Sequence, residues 1–82
     1  MKTHSLPLSK IYFDKVVDGS RTFEVRNNNK DYQVGDTIIL NEYDPDKNTF
    51  SGKEIVGKIT YVLDNHDVLE EGWCIFSYKV EE

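Results

Sequence analysis

Two arginines and a glutamate stand close together in one short segment of this 82-residue sequence, and they offer its clearest chemistry. Arg21, Glu24 and Arg26 fall where a helical pattern gives way to a strand pattern. An arginine presents a planar fork of N–H donors that suits phosphate groups and base edges, and its plane can stack on a nucleobase. Glu24 can pair with a guanidinium or act as a general base on water. The alternative is a solvated strand face whose ion pairs contribute about 0–1 kcal/mol.

Asparagine amides and tyrosine rings elsewhere in the chain could also recognise a nucleobase. Asn27, Asn28 and Asn29 can read base edges because an amide both donates and accepts hydrogen bonds, although such a run is typical of a turn. Tyrosines can stack on a base or fill the core of so small a domain, and both interpretations stay open for four of them: Tyr12, Tyr32, Tyr43 and Tyr61.

Histidine and cysteine give little support to a metal centre. His4 and His66 are far apart in the sequence and lie near turn-forming segments, so we expect both rings in solvent. Cys74 is the only cysteine and cannot form an internal disulfide. No basic residue stands beside it, which predicts a buried, unreactive thiol. We expect no metal and no cofactor.

The charge of the chain is acidic overall but unevenly distributed. The net charge of −5 argues against a non-specific nucleic-acid binder, whose affinity depends on basic surface. Residues 1–35 carry six Lys and Arg against four Asp and Glu, whereas residues 36–82 carry four against eleven. The first part can therefore present a local basic face. No apolar run approaches the length of a membrane span, and we expect a cytoplasmic protein.

The hydrophobic pattern predicts one helix among several strands. Ser9 can cap a helix from Lys10 to Asp18 that Gly19 ends, with Ile11 widening its apolar stripe. The period then becomes two, and a strand over 22–26 places Phe23 and Val25 on one face and the charged residues on the other.

Further alternation predicts strands over 37–43, 53–63 and 73–80. We expect Gly57 to mark a bulge or a sharp bend and Tyr61 to face inward. We expect Pro7 to confine the first strand to an edge, or to stand at a first position. The absence of alanine and the 14 Val and Ile residues favour strands over helices. The predicted architecture is α+β, mainly β: a single domain over 1–82 with a largely antiparallel, closed or half-closed sheet and a helix over one opening.

The segment from Gly19 to Arg26 resembles the G-x-K-x-x-E-x-R signature of the ASCH (activating signal cointegrator homology) domain, in the PUA-like superfamily. Its placement between a helix and a strand, and the later Val34-Gly35-Asp36, resemble a small bacterial and phage branch of that family. The resemblance implies a pseudo-barrel of about five to six strands with one N-terminal helix covering an opening. It also implies RNA or nucleotide binding in a cleft between helix and sheet, by five residues: Gly19, Arg21, Thr22, Glu24 and Arg26.

The chain departs from the ASCH family it resembles at positions that matter for catalysis. Amidohydrolases in one branch, which act on a modified cytidine, use a Lys followed three residues on by a Thr; here these positions hold Arg21 and Glu24. Because a guanidinium stays protonated, it cannot serve as an activated amine. We therefore expect a non-catalytic module that binds RNA or a nucleotide, as a monomer or weak dimer. The alternatives are a small hydrolase of modified nucleosides with Glu24 as base, and a protein-binding adaptor.

Overall fold

A computed structural model describes residues 1–65 and 67–81 of the chain. These residues form one α-helix, five strands and a short 3-10 turn. None of their helices is long and apolar enough to cross a membrane. In chain order the elements are β1 (Thr3–Ser9), α1 (Lys10–Val17), β2 (Phe23–Asn27), the 3-10 turn (Asn28–Lys30), β3 (Thr37–Asp44), β4 (Thr49–Asp64) and β5 (Trp73–Val80).

The five strands form one curled sheet in the order β1-β3-β4-β5-β2. β1 runs parallel to β3, and the other neighbours are antiparallel. The sheet is a half-barrel with β1 and β2 as its two edges, which confirms the predicted mainly β, α+β fold. Pro7 lies in edge strand β1, as expected of a residue that cannot donate to a ladder.

The helix covers the sheet with a narrower apolar stripe than its sequence predicts. Phe13 and Val16 are buried in the core, whereas Ile11 and Val17 are 61% and 66% exposed. The predicted contribution of Ile11 to the stripe is therefore wrong, because α1 packs mainly against β1 and β3 and buries Phe13 and Val16 there. α1 ends before Gly19, whose φ of +84° suits glycine.

A bulge in β4 lies three residues after the predicted one. The pairing of β4 with β5 shifts between Ile59 and Tyr61, and the extra residue reverses the alternation that follows. Tyr61 is consequently 61% exposed, and the prediction that it faces inward is wrong. Gly57 has another role, since a Cβ there would lie 3.0 Å from the carbonyl oxygen of Lys79.

A buried histidine joins the start of β1 to the turn before β3. His4 is 5% exposed, and its Nε2 lies 2.8 Å from the Oδ2 of Asp36. Asp36 also accepts hydrogen bonds from the backbone amides of Lys2 and Gln33. The expectation of a solvated His4 is thus wrong, because alternation along β1 points this ring inward. The expectation for His66 lies outside the described residues.

Candidate functional site

Strand β2 turns its charged face into the protein and its apolar face outward. Glu24 is 1% exposed, while Phe23 and Val25 on either side of it are 46% and 44% exposed. The two faces were predicted correctly, but the interpretation of the charged face as solvated is wrong for Glu24. Burial of a carboxylate is costly unless it is paired and hydrogen-bonded.

Two guanidinium groups pair with the buried carboxylate at the same oxygen. Arg26 donates to Glu24 Oε1 from Nη2 at 3.1 Å and from Nε at 3.3 Å. The Nη2 of Arg21 lies 3.6 Å from that oxygen. Both arginine side chains are about one-fifth exposed. Two positive charges and one negative charge therefore meet here, which leaves the cluster with a local surplus of one positive charge.

The same arginines tie down the two edges of the sheet. Arg26 Nη2 donates to the carbonyl oxygen of Pro7 in β1 at 2.8 Å. Arg21 Nε donates to the carbonyl oxygen of Phe23 in β2 at 3.1 Å. The Arg21 guanidinium also lies 4.4 Å from the centre of the Tyr12 ring on α1, within the range of a cation–π contact. Side chains thus hold the helix and both edge strands together.

Two polar atoms beside this cluster are buried without a hydrogen-bond partner among the described residues. They are Oε2 of Glu24 and the hydroxyl of Tyr78 on β5. Burial raises the pKa of Tyr78, and the negative charge of Glu24 and a side-chain interaction of the hydroxyl with that carboxylate act in the same direction. Orphaned buried polar groups are uncommon in folded proteins and mark sites of strain, chemistry or unassigned ligands.

An open cleft of about 550 Å³ lies over the cluster, between β1 and β2. Arg21, Glu24 and Arg26 all line it, so the three charged residues singled out in the sequence do meet at one cavity. Gly19 and Thr22 are not among its lining residues. Gly19 ends the helix, and the Thr22 carbonyl accepts a backbone hydrogen bond from Tyr78.

Aromatic and basic side chains from distant parts of the chain complete the cleft. Tyr12 of α1, Tyr32, Lys30 and Trp73 of β5 all line it. Tyr12 is 48% exposed and Trp73 is 38% exposed, whereas Tyr32 belongs to the core. The sequence does not indicate Trp73 as a site residue, because only the pairing of β5 with β2 brings it to the cleft.

The asparagine run forms a turn and also borders the cleft. Asn28 opens the 3-10 turn, and its Oδ1 accepts a hydrogen bond from the backbone amide of Tyr32 at 3.0 Å. Asn27 and Asn29 line the cleft. The predicted turn is confirmed, and two of the three amides also lie where a ligand can reach them.

Cys74 does not line the cleft, although it pairs with Arg26 across β2 and β5. It is fully buried, and burial raises the pKa of its thiol, as expected for an unreactive cysteine. Across residues 1–65 and 67–81, no three side chains of His, Cys, Asp or Glu are grouped as ligands of a metal ion.

Fold and site together define a small half-barrel protein with an arginine–glutamate cleft between its edge strands. By sequence the chain belongs to the family described as "Domain of unknown function (DUF3850)", whose model matches residues 3–78. It is 37% identical over 70 residues to the "Uncharacterized 12.9 kDa protein in GpA 3'region" of Escherichia phage P2. The match covers 85% of this chain but only 62% of the phage protein, so the chain spans less than two thirds of that relative.

Proposed function

We propose that this protein is an ASCH-like, PUA-like module that binds RNA or a nucleotide in the cleft between β1 and β2. The observation that carries the proposal is the buried Glu24, paired with Arg21 and Arg26 on the wall of an open cavity. A structural ion pair needs no cavity above it, whereas a recognition site needs both fixed polar groups and space.

The arginines retain donors for a ligand. The hydrogen bonds of the two guanidinium groups come from Nε of Arg21 and from Nε and Nη2 of Arg26. Among the described residues, the Nη1 atoms of both arginines make no hydrogen bond. Glu24 holds both guanidinium planes in place, so a ligand meets oriented donors. Phosphate oxygens and the acceptor atoms of base edges suit such donors.

The walls of the cleft suit a nucleobase. Tyr12 and Trp73 offer partly exposed aromatic surface, on which a base can stack. Lys30, Asn27 and Asn29 supply a cation and two amides at the rim. The volume of about 550 Å³ falls in the range of small-molecule sites. An open cleft of this kind favours a ligand over the adaptor alternative.

The proposal is tested by calorimetric titration of AMP, CMP, GMP and UMP into the wild type and two helix variants. Tyr12→Ala removes an exposed ring from the cleft, and we expect it to weaken binding by about five-fold or more, as for a lost base stack. Ile11→Ala is the matched control, because Ile11 is exposed on the same helix and does not line the cleft.

The outcomes separate clearly. Saturable binding that Tyr12→Ala weakens and Ile11→Ala leaves unchanged supports the proposal. If all three proteins bind a nucleotide with equal affinity, the nucleotide binds outside the cleft. Absence of binding by all four nucleotides and by a short RNA refutes the proposal.

A hydrolase of modified nucleosides is the second candidate, and the orphaned Oε2 of Glu24 favours it. A buried carboxylate oxygen without a partner can accept a proton from water. Against this role, protonation of Glu24 would break two ion pairs at once. Chromatography of each nucleoside mixture after incubation with wild type and Glu24→Gln decides the point. Product formed by wild type and not by the variant establishes the enzyme.

A further inference from the structure

The outer face of the half-barrel carries an apolar patch that the core does not use. We define the outer patch by its residues on the three strands β2, β5 and β4: Phe23, Val25, Trp73, Ile75, Tyr61 and Leu63. Cross-strand pairing aligns it in rows, since Phe23 and Tyr61 both pair with Ser77, and Val25 and Leu63 both pair with Ile75.

Three aromatic rings in the outer patch are accessible to a large planar ligand. Tyr61 is 61% exposed, Phe23 is 46% exposed and Trp73 is 38% exposed. The bulge at Thr60 places Tyr61 here, because without the extra residue its ring would enter the core. Exposed aromatic rings spread over adjacent strands form a stacking surface for unpaired bases.

Two lysines stand at one end of the outer patch. Lys58 and Lys79 are directly paired across β4 and β5, and both are exposed. Like charges opposite each other on a sheet are destabilising unless an anion lies between them. Glu81 lines the same shallow surface pocket, but among the described residues neither lysine has an ion-pair partner within 4.0 Å. Lys79 lies two residues, or about 7 Å, beyond Ser77 along β5.

The outer patch is continuous with the cleft. Trp73 and Val25 belong to the patch and also line the cleft. The Arg21 guanidinium, which lines the cleft, lies 5.6 Å from the centre of the Phe23 ring. A chain that leaves the cleft past Trp73 therefore meets aromatic surface first and the lysine pair afterwards.

We infer that the outer patch binds a segment of single-stranded RNA that continues from the nucleotide held in the cleft. Bases stack on Phe23 and Tyr61, and Lys58 and Lys79 contact phosphates. The inference rests on the proposed function and adds that the partner is a polymer of several nucleotides. An acidic protein would meet the lysines but would not need the aromatic rows, and an apolar protein surface would leave the lysines without a partner.

The test measures fluorescence anisotropy of labelled octamers of U, C and A at several salt concentrations, beside calorimetry of the matching 5′-monophosphates. We expect each octamer to bind the wild type at least ten-fold more tightly than its monophosphate. Tyr61→Ala should weaken octamer binding by about five-fold or more, with monophosphate binding unchanged. Lys58→Gln with Lys79→Gln should lower the slope of log affinity against log salt by about 1.4, for two phosphate contacts on a single strand.

Matched controls lie elsewhere on the sheet. Phe50→Ala removes a ring that is 60% exposed on the β3–β4 hairpin, away from the outer patch. Lys47→Gln with Lys53→Gln removes the same charge as the lysine test pair. Neither control should alter octamer binding by more than two-fold, and thermal melting of every variant checks that it is folded.

The possible failures are distinct. Octamers that bind no more tightly than monophosphates refute the binding of RNA to the outer patch and leave the cleft proposal standing. Absence of binding by either probe refutes both. If Tyr61→Ala changes only the sedimentation of the protein, from dimer to monomer, the outer patch is a self-association surface and the inference is wrong.

Discussion

Arg26 Nη2 lies 2.8 Å from the carbonyl oxygen of Pro7, and this side-chain hydrogen bond links two edge strands that share no backbone ladder. The same nitrogen lies 3.1 Å from Oε1 of Glu24. Arg26 therefore spans the opening of the half-barrel and positions the carboxylate on the cleft wall. One residue contributes both to the integrity of the sheet and to the candidate site.

This double role predicts a measurable loss of stability on substitution. Arg26→Ala leaves the buried Glu24 with only the longer contact to Arg21, and we expect the free energy of unfolding to fall by about 2–3 kcal/mol. Lys10→Ala is the control, because Lys10 is about half exposed and its pair with Asp44 is worth about 0–1 kcal/mol. Urea unfolding measures both. Equal losses for the two variants would show that Arg26 does not support Glu24.

Tyr78 provides a test of the orphaned hydroxyl. Tyr78→Phe removes a buried hydroxyl that makes no hydrogen bond of normal length and angle among the described residues, so we expect the free energy of unfolding to stay unchanged or rise by up to about 1 kcal/mol. Tyr61→Phe, at an exposed position, controls for loss of a solvated hydroxyl. A fall of more than 1 kcal/mol in Tyr78→Phe alone would mean that this hydroxyl donates a hydrogen bond in solution.

The Asp36 carboxylate predicts how stability changes in acid. Burial raises its pKa, but hydrogen bonds from His4 and from the amides of Lys2 and Gln33 outweigh that effect and bring the pKa below the ordinary value. The contribution of Asp36 is thus complete above its unfolded pKa of about 3.9. It is lost as the pH falls through the lower folded pKa.

Unfolding of the wild type and Asp36→Asn between pH 2 and pH 7 measures this contribution. We expect the variant to be less stable at pH 7, with a difference that shrinks below about pH 4. A difference that is constant over the whole range would show that the ionised carboxylate does not stabilise the fold.

We expect the thiol of Cys74 to be protected from chemical labelling in the folded protein. The side chain is fully buried and its thiol pKa is raised by burial, so a disulfide reagent should react with it only after the protein opens. We expect labelling at least about a thousand-fold slower than for the same protein in 6 M guanidinium, a bound well inside the stability of a small domain. Absorbance at 412 nm follows the reaction. Immediate labelling of the native protein would contradict the burial of Cys74.

The sequence predicted the main elements because their signals are local. Ser9, the periodic apolar residues and Gly19 place the helix to within one residue, and alternation places β5 at its observed limits. The predictions are wrong where pairing with a neighbouring strand decides which way a side chain faces. Tyr61 faces outward because β5 pairs with β4 through a bulge, and no residue in β4 alone encodes that register.

The grouping of the charged residues follows from the sequence, because Arg21, Glu24 and Arg26 are close along the chain and Glu24 and Arg26 share one face of a strand. The direction in which this face points depends on the pairing and curvature of the whole sheet. β2 pairs with β5 and curves toward β1, which buries Glu24 and leaves Phe23 outside. The partners Pro7, Trp73 and Tyr78 are distant in sequence, and only the closing of the half-barrel brings them to the cluster.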